Sequence, residues 1–123
     1  MSELEKSREQ YLKDSLPACL NRITENLARI CVLSSDSEAQ TEVHRVIYES
    51  KYFIEWTAPE IMRTAPKVDT ETIFEMVNIQ RKLVRWQFHL DEIWIDDGKR
   101  LEVGAEARLL SDWMSAKFNS LNQ

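Results

Sequence analysis

Glycine and proline are scarce in this chain, and that scarcity limits what the chain can fold into. The sequence has two glycines, Gly98 and Gly104, and three prolines, Pro17, Pro59 and Pro66. Both residue types interrupt helices, so the long stretches between them are free to remain helical. The sequence therefore predicts an all-α fold, an up-and-down four-helix bundle with long helices.

The length and net charge of the chain limit the classes of protein to which it can belong. A chain of 123 residues is long enough to bury a core as one helical-bundle domain, predicted to span residues 1–123. Its composition, 43% hydrophobic and 30% charged, is that of a folded globular protein. The net charge of −5 disfavours a nucleic-acid partner, because nucleic-acid-binding domains usually present a basic surface.

The two cysteines indicate a reducing compartment. Cys19 and Cys31 fall on one predicted helix, where a rise of about 1.5 Å per residue separates them by about 18 Å. That distance is too long for a disulfide, so both are predicted to be free thiols beside the core. The first residues include no apolar signal core, and no stretch is long enough to span a membrane. We therefore expect a cytoplasmic protein with no membrane partner.

Helix one is predicted from residue 3 to about Leu33. Ser2 and Glu5 have the spacing of a capping box at its start. Pro17 is expected to kink or split this helix nearby. Apolar residues recur every three or four positions, which predicts one buried face formed by Leu12, Leu16, Cys19, Leu20, Ile23, Leu27 and Ile30.

Helix two is predicted to follow a serine-rich junction and to end at about Ala58. Ser35 and Glu38 have capping-box spacing at its start. Pro59 and Pro66 are expected to bracket a connector that retains one helical turn. The buried face of helix two is predicted to include small residues that allow a neighbouring helix to approach closely, namely Ala39, Ser50 and Thr57.

Helix three is predicted to begin after Asp69, its N-cap, and to reach about Asp97. Gly98 is expected to end it as a left-handed C-cap. Helix four follows and is expected to end near Asn119. An alternative interpretation of residues 93–103 is a β-hairpin, because Asp-Gly is a common two-residue turn. A lone two-stranded hairpin is only marginally stable, which favours the helical corner.

Helix three has an unusually wide apolar arc, about 260° when residues are placed about 100° apart. A helix at the edge of a monomeric bundle needs a stripe of only about 100–140°. The excess is explained either by a central position in the bundle or by contact with a second copy, and we favour a homodimer. The candidate interface residues are Trp86, Ile79, Ile93, Phe88 and Trp94.

Three polar residues, Gln80, Gln87 and Asp91, interrupt that arc in one row. A buried amide without a hydrogen-bond partner costs about 1–3 kcal/mol, so the row requires partners. The predicted partners and neighbours lie on helices two and four and are Ser50, Thr57 and Glu106. The row is interpreted as a structural hydrogen-bond layer. Polar contacts at a dimer seam and a small-molecule pocket are the alternatives.

The sequence predicts no catalytic residues, and no metal or cofactor is expected. The two histidines are His44 and His89, and neither completes the Glu-x-x-His pattern of di-metal bundles. Arg81, Lys82, Arg85 and His89 form a basic ridge on helix three, interpreted as a solvated face. The spacing from Arg85 to His89 is one residue shorter than the arginine-to-histidine motif of certain helical ribonucleases, so the chain is not assigned to that family.

These observations favour a non-enzymatic helical-bundle protein that acts through protein–protein contact, as a homodimer or with another protein. A helical hydrolase or nuclease that uses Arg85 and His89 is one alternative. The other is a small-ligand or metal-binding bundle with a buried polar site formed by Gln80, Gln87, Asp91 and Glu106.

Overall fold

The computed structural model of the chain describes residues 2–65 and 67–119, which are helical throughout apart from short connections. Its helices are α1 (Glu3–Leu12), α2 (Leu16–Leu33), α3 (Gln40–Thr64), α4 (Thr70–Phe88), α5 (Leu90–Trp94) and α6 (Asp97–Phe118). The all-helical prediction is confirmed for this part of the chain. The described residues form six helices where the sequence predicts four, because the first and third predicted helices are each divided in two.

The first predicted helix is divided just before Pro17. Ser2 caps α1 as expected, because its hydroxyl accepts from the backbone N–H of Glu5 at 3.1 Å and the Glu5 carboxylate accepts from the Ser2 N–H. The chain leaves the helix after Leu12, and Ser15 caps α2. Pro17 lies in the first turn of α2, where a backbone N–H has no helical partner to lose.

The second predicted helix begins later and ends later than expected. Ser35 does not cap α3, because its hydroxyl donates to the Val32 carbonyl at 3.0 Å. α3 continues through Pro59 to Thr64. Pro59 is exposed, so water can solvate the carbonyl that loses its helical donor. The predicted boundary at Pro66 lies outside the described residues.

The third predicted helix ends nine residues early, at Phe88. Its start is confirmed, because the Asp69 carboxylate accepts from the Thr72 N–H at 2.7 Å. After α4 the short α5 ends at Trp94, whose indole N–H donates to the Asp36 carbonyl at 3.1 Å. Gly98 is no C-cap: it lies in the first turn of α6 without a positive φ. The alternative hairpin at residues 93–103 is also wrong, since α5 and α6 occupy this segment.

The four long helices pair side by side, with neighbours antiparallel. α2 lies between α3 and α6, and α3 also packs against α4. Between α2 and α3, Arg29 contacts Glu42 and Asn26 contacts Glu49, so residue numbers rise on one helix as they fall on the other. Between α2 and α6, the Ser111 hydroxyl donates to the Thr24 carbonyl at 3.0 Å.

All six helices contribute to the hydrophobic core. α1 contributes Tyr11, with Leu12 packed against the cluster, and most of the other core residues come from the four long helices. The most deeply buried large side chains include Ile23, Leu27, Ile30, Ile47, Ile54, Met76, Leu83, Trp94 and Met114. Each such side chain stabilises the fold by about 1.5–3 kcal/mol relative to an exposed one, so these faces hold the helices together.

A buried arginine joins two distant turns of the chain. The guanidinium of Arg100 donates to the Ser34 carbonyl at 2.9 Å and to the Trp94 carbonyl at 3.0 Å. It also pairs with Asp97 at 2.7 Å. These bonds fix the α2–α3 connection against the corner between α5 and α6. No sequence pattern predicted this role for Arg100.

Candidate functional site

The predicted polar row is a seam at the surface and not a buried layer. Gln80 and Gln87 are partly exposed, and Asp91 lies on α5 and is exposed. The Gln80 amide donates to the Lys51 carbonyl at 3.1 Å. Gln87 lies 3.5 Å from the ring of His44, and Asp91 accepts from the amide of Gln40. The row therefore joins α3 to α4 and α5 at the surface.

The partners predicted for this row bond elsewhere. Ser50 is fully buried, but its hydroxyl donates to the Val46 carbonyl of its own helix at 2.6 Å. Thr57 is also fully buried, and its hydroxyl bonds to that of Tyr11 at 2.7 Å. Glu106 forms an ion pair with Lys82, between α6 and α4. These six side chains therefore form no single site.

Two members of the row line a surface cleft. The cleft has a volume of about 500 Å³ and is lined by Gln40, Thr41, His44, Gln87, Phe88 and Asp91, with Leu90 beneath. Gln80 and Glu106 lie outside it. The Asp91 carboxylate is engaged by the Gln40 amide rather than by His44. The cleft thus offers hydrogen-bonding groups, but its carboxylate, Asp91, bonds to Gln40 and not to its histidine, His44.

Four of the five predicted interface residues are buried inside the protomer. Ile79, Trp86, Ile93 and Trp94 are each at most 8% exposed, whereas Phe88 is 84% exposed. Ile79 and Trp86 are covered because α4 packs against α3, and beyond Phe88 the chain bends at His89. α5 then folds back onto α3 and α6, where its apolar side chains are covered.

A narrower surface remains exposed on α4. Phe74, Val84 and Phe88 are 64%, 46% and 84% exposed. Arg81 and Arg85 lie between them on the same side of the helix, since the spacings 74–81–85–88 are close to whole numbers of helical turns. We call these five residues the α4 outer face. Within the described part of the chain, neither arginine forms an ion pair.

Two residues of the predicted basic ridge contact acidic side chains, whereas, among the described residues, Arg81 and Arg85 do not. Lys82 pairs with Glu106, and His89 lies 3.6 Å from Glu92. Arg85 and His89 are both exposed, and neither lines the cleft beside Gln87. The two residues of the hydrolase or nuclease alternative, Arg85 and His89, therefore lie outside the cleft that Gln87 lines.

Sequence reasoning missed an aromatic groove between α1 and α3. Tyr48, Tyr52 and Trp56 lie one helical turn apart on α3, with ring centroids separated by 5.0 Å and 5.7 Å in turn. Tyr11 of α1 stacks on Phe53 at 4.2 Å. The signal that identifies the groove in the sequence is the i, i+4, i+8 spacing of the three aromatic residues on α3.

Burial raises the pKa values of two ionisable groups behind this groove. The hydroxyl of Tyr11 bonds to Thr57 and to the Cys19 carbonyl, and burial raises the pKa of Tyr11 above its ordinary value. Burial also raises the pKa of the Cys19 thiol, which points toward the Tyr11 carbonyl at 3.3 Å. A thiol with a raised pKa is a poor nucleophile, so Cys19 acts as a packing residue. Both cysteines are free.

Residues 2–65 and 67–119 contain no group of three or more His, Cys, Asp and Glu side chains placed to hold a metal ion. None of the described helices combines the length and apolar character needed to cross a bilayer. Comparison of the chain with models of protein families, with curated proteins and with solved structures found no match.

Proposed function

We propose that this chain is a single-domain cytoplasmic protein without enzymatic activity, which acts through protein–protein contact. Its four long helices serve as an up-and-down bundle that holds the α4 outer face in place. The observation that carries the proposal is the composition of that face: exposed apolar side chains alternate with arginines that lack acidic partners within the described residues. The free Cys19 and Cys31 support the cytoplasmic location.

The α4 outer face has the chemistry of a protein interface. Phe74 and Phe88 expose most of their ring surface to water, which is unfavourable unless a partner covers them. Aromatic residues and arginine are enriched at protein interfaces, whereas lysine and glutamate are depleted. Arg81 and Arg85 keep their guanidinium donors free for a bidentate bond to a carboxylate. The face therefore suits a partner that is both apolar and acidic.

The occupant we propose is an acidic amphipathic helix of another protein. Such a helix lays its apolar side against an apolar face and places residues at i, i+3, i+4 and i+7 as anchors. Its flanking glutamates or aspartates would meet Arg81 and Arg85. Positive charge on this face of a chain with a net charge of −5 favours this partner over a basic one.

A homodimer through the same face is the second candidate. Phe74 and Phe88 lie equally far along the helix from Arg81. Two antiparallel copies of α4 can therefore place Phe74 of one copy against Phe88 of the other. The same symmetry brings Arg81 next to its own copy, and like charges in contact disfavour association. We expect this homodimer to be weaker than the complex with an acidic helix.

The test uses a synthetic amphipathic peptide of about 20 residues, with leucines on one face and flanking glutamates. We expect the purified protein to bind it in a fluorescence-anisotropy titration. The double substitution Arg81→Glu/Arg85→Glu should weaken binding by at least about tenfold. Phe88→Ser should weaken it by a similar factor, because the exposed ring is the proposed anchor.

The matched control is Arg8→Glu/Lys13→Glu, which reverses two exposed charges at α1 and its C-cap. These substitutions should leave peptide binding unchanged. Equal losses in the two double variants, or equal binding of a peptide with the same composition in scrambled order, contradict the proposal. Sedimentation velocity is run in parallel. A dimer that Phe88→Ser dissociates, together with no peptide binding, assigns the face to a second copy instead.

A further inference from the structure

The groove between α1 and α3 is left unfilled by the protein's own side chains. It has a volume of about 510 Å³, within the range of about 300–1,000 Å³ that is typical of small-molecule sites. Leu4, Ser7 and Gln10 line it from α1, yet all three are exposed. Of the residues in α1, Tyr11 alone is buried. α1 therefore covers the groove without packing into it.

The floor of the groove is a row of aromatic rings. Tyr48 is exposed, and Tyr52 and Trp56 are half-buried, so each presents ring surface to the groove. Planar ligands bind such surfaces by offset stacking at about 4.5–7 Å between ring centroids. Aromatic side chains also lose few rotamers on binding, since they have two side-chain torsions. This floor favours a flat, aromatic ligand over a flexible aliphatic one.

The groove is lined by one cationic side chain from each of three helices, α1, α2 and α3. Lys6, Arg22 and Arg45 line it, with Glu49 as the acidic member. Arg45 is already paired, with Glu42 at 2.7 Å and Glu49 at 3.2 Å. Because these two glutamates neutralise Arg45, Lys6 and Arg22 are the lining cations that can attract an anionic ligand.

Arg22 is the best placed of these cations. Its guanidinium lies over the rings of Phe53 and Tyr11, at 4.7 Å and 5.2 Å from their centroids. These contacts orient the side chain while leaving its edge free to donate. The nearest carboxylate, that of Asp14, is 3.8 Å away, too far for a hydrogen bond. Arg22 therefore keeps donors for an incoming anion.

We propose that this groove binds a planar aromatic carboxylate, with its rings stacked on Tyr52 and Trp56 and its carboxylate held by Arg22. A planar guanidinium can donate two parallel hydrogen bonds to the two oxygens of a carboxylate. The site is separate from the α4 outer face, so this proposal stands whether or not α4 binds a partner.

The test compares two probes by isothermal titration calorimetry: 2-naphthoate and the neutral 2-naphthalenemethanol. The unsubstituted protein should bind the carboxylate at least about tenfold more tightly than the alcohol. Arg22→Gln should remove this preference and leave alcohol binding unchanged. Arg29→Gln is the matched control, because Arg29 is an exposed arginine of the same helix that does not line the groove.

A second substitution tests the stacking surface. Tyr52→Ala should weaken binding of both probes by a similar factor, since both present the same rings. Far-ultraviolet and near-ultraviolet circular dichroism establish that each variant remains folded. The proposal is overturned if the protein binds neither probe, if it binds both equally, or if Arg29→Gln acts like Arg22→Gln. Unchanged affinity in folded Tyr52→Ala also overturns it.

Discussion

Gly104 lies in the interior of α6, at the point where that helix approaches α2. A methyl group at this position would meet the Ser34 side chain, with its Cβ at 2.5 Å and its hydroxyl oxygen closer still. Real Cβ atoms do not approach so closely, so the helices would have to separate. Gly104 is therefore required by the spacing of α2 and α6, while its backbone has an ordinary helical conformation.

We expect Gly104→Ala to destabilise the protein by about 1–3 kcal/mol, the usual cost of overpacking a buried contact. Equilibrium unfolding in urea measures this loss. Ser34→Gly removes the side chain that the new methyl group would meet. The double variant should therefore be more stable than the sum of the two single losses implies. Strict additivity of the two losses would contradict the steric explanation.

Residue-scale prediction succeeded where the signal is local and failed where it depends on a distant contact. Ser2 and Asp69 cap their helices as predicted, because a cap needs only the next three residues. Ser35 has the same pattern, but its hydroxyl turns back to Val32. The buried role of Arg100 depends on carbonyls of Ser34 and Trp94, and no neighbouring residue in the sequence indicates it.

At the scale of the element, the start of α4 depends on an ionised cap. Hydrogen bonds from the Thr72 side chain and backbone N–H stabilise the Asp69 carboxylate and lower its pKa below the ordinary value. A lowered pKa in the folded state means that ionised Asp69 stabilises the protein above its unfolded pKa of about 4. That contribution is lost as the pH falls through the folded pKa.

Asp69→Asn tests this dependence, because asparagine keeps the cap oxygen without the charge. We expect the variant to melt at a lower temperature than the unsubstituted protein at about pH 6, and the difference to shrink as the pH is lowered below about 4. Thermal unfolding followed by circular dichroism measures both values. Ser15→Asn, which changes the N-cap of α2 without removing a charge, should show no such pH-dependent difference. A constant difference for Asp69→Asn across this range would contradict the prediction.

Element boundaries explain why the candidate site was only partly predictable. Periodicity identified the buried face of α2 from Cys19 to Ile30 and that of α3 correctly, because each helix is continuous over that stretch. Leu12, which began the predicted stripe, lies on α1 and is only partly buried. The same periodicity was extended through His89, where α4 ends. Beyond that residue the helical wheel no longer applies. Asp91 was therefore assigned to a buried row although it is exposed.

At the scale of the whole molecule, Arg100 links two turns at one end of the helical array, the α2–α3 connection and the α5–α6 corner. Arg100→Ala leaves two carbonyls at a buried position without their charged donor. We expect a loss of about 3 kcal/mol in the free energy of unfolding. Arg100→Lys should recover part of this lost stability, because its ammonium group can donate hydrogen bonds. It cannot reach both carbonyls in the way that the planar guanidinium does. Chemical denaturation measures both variants; a loss no larger than that of exposed Arg108→Ala would contradict this role.

The same arginine bears on the order in which the protein folds. Its bond to Ser34 joins residues 66 positions apart in the chain, so it forms only after a long loop has closed. The helices form from local contacts and need not wait for it. We therefore expect the transition state to lack this link, and Arg100→Ala to accelerate unfolding while refolding keeps nearly its original rate. Stopped-flow kinetics measure both rates. If the link formed early, Arg100→Ala would instead slow refolding and leave the unfolding rate nearly unchanged.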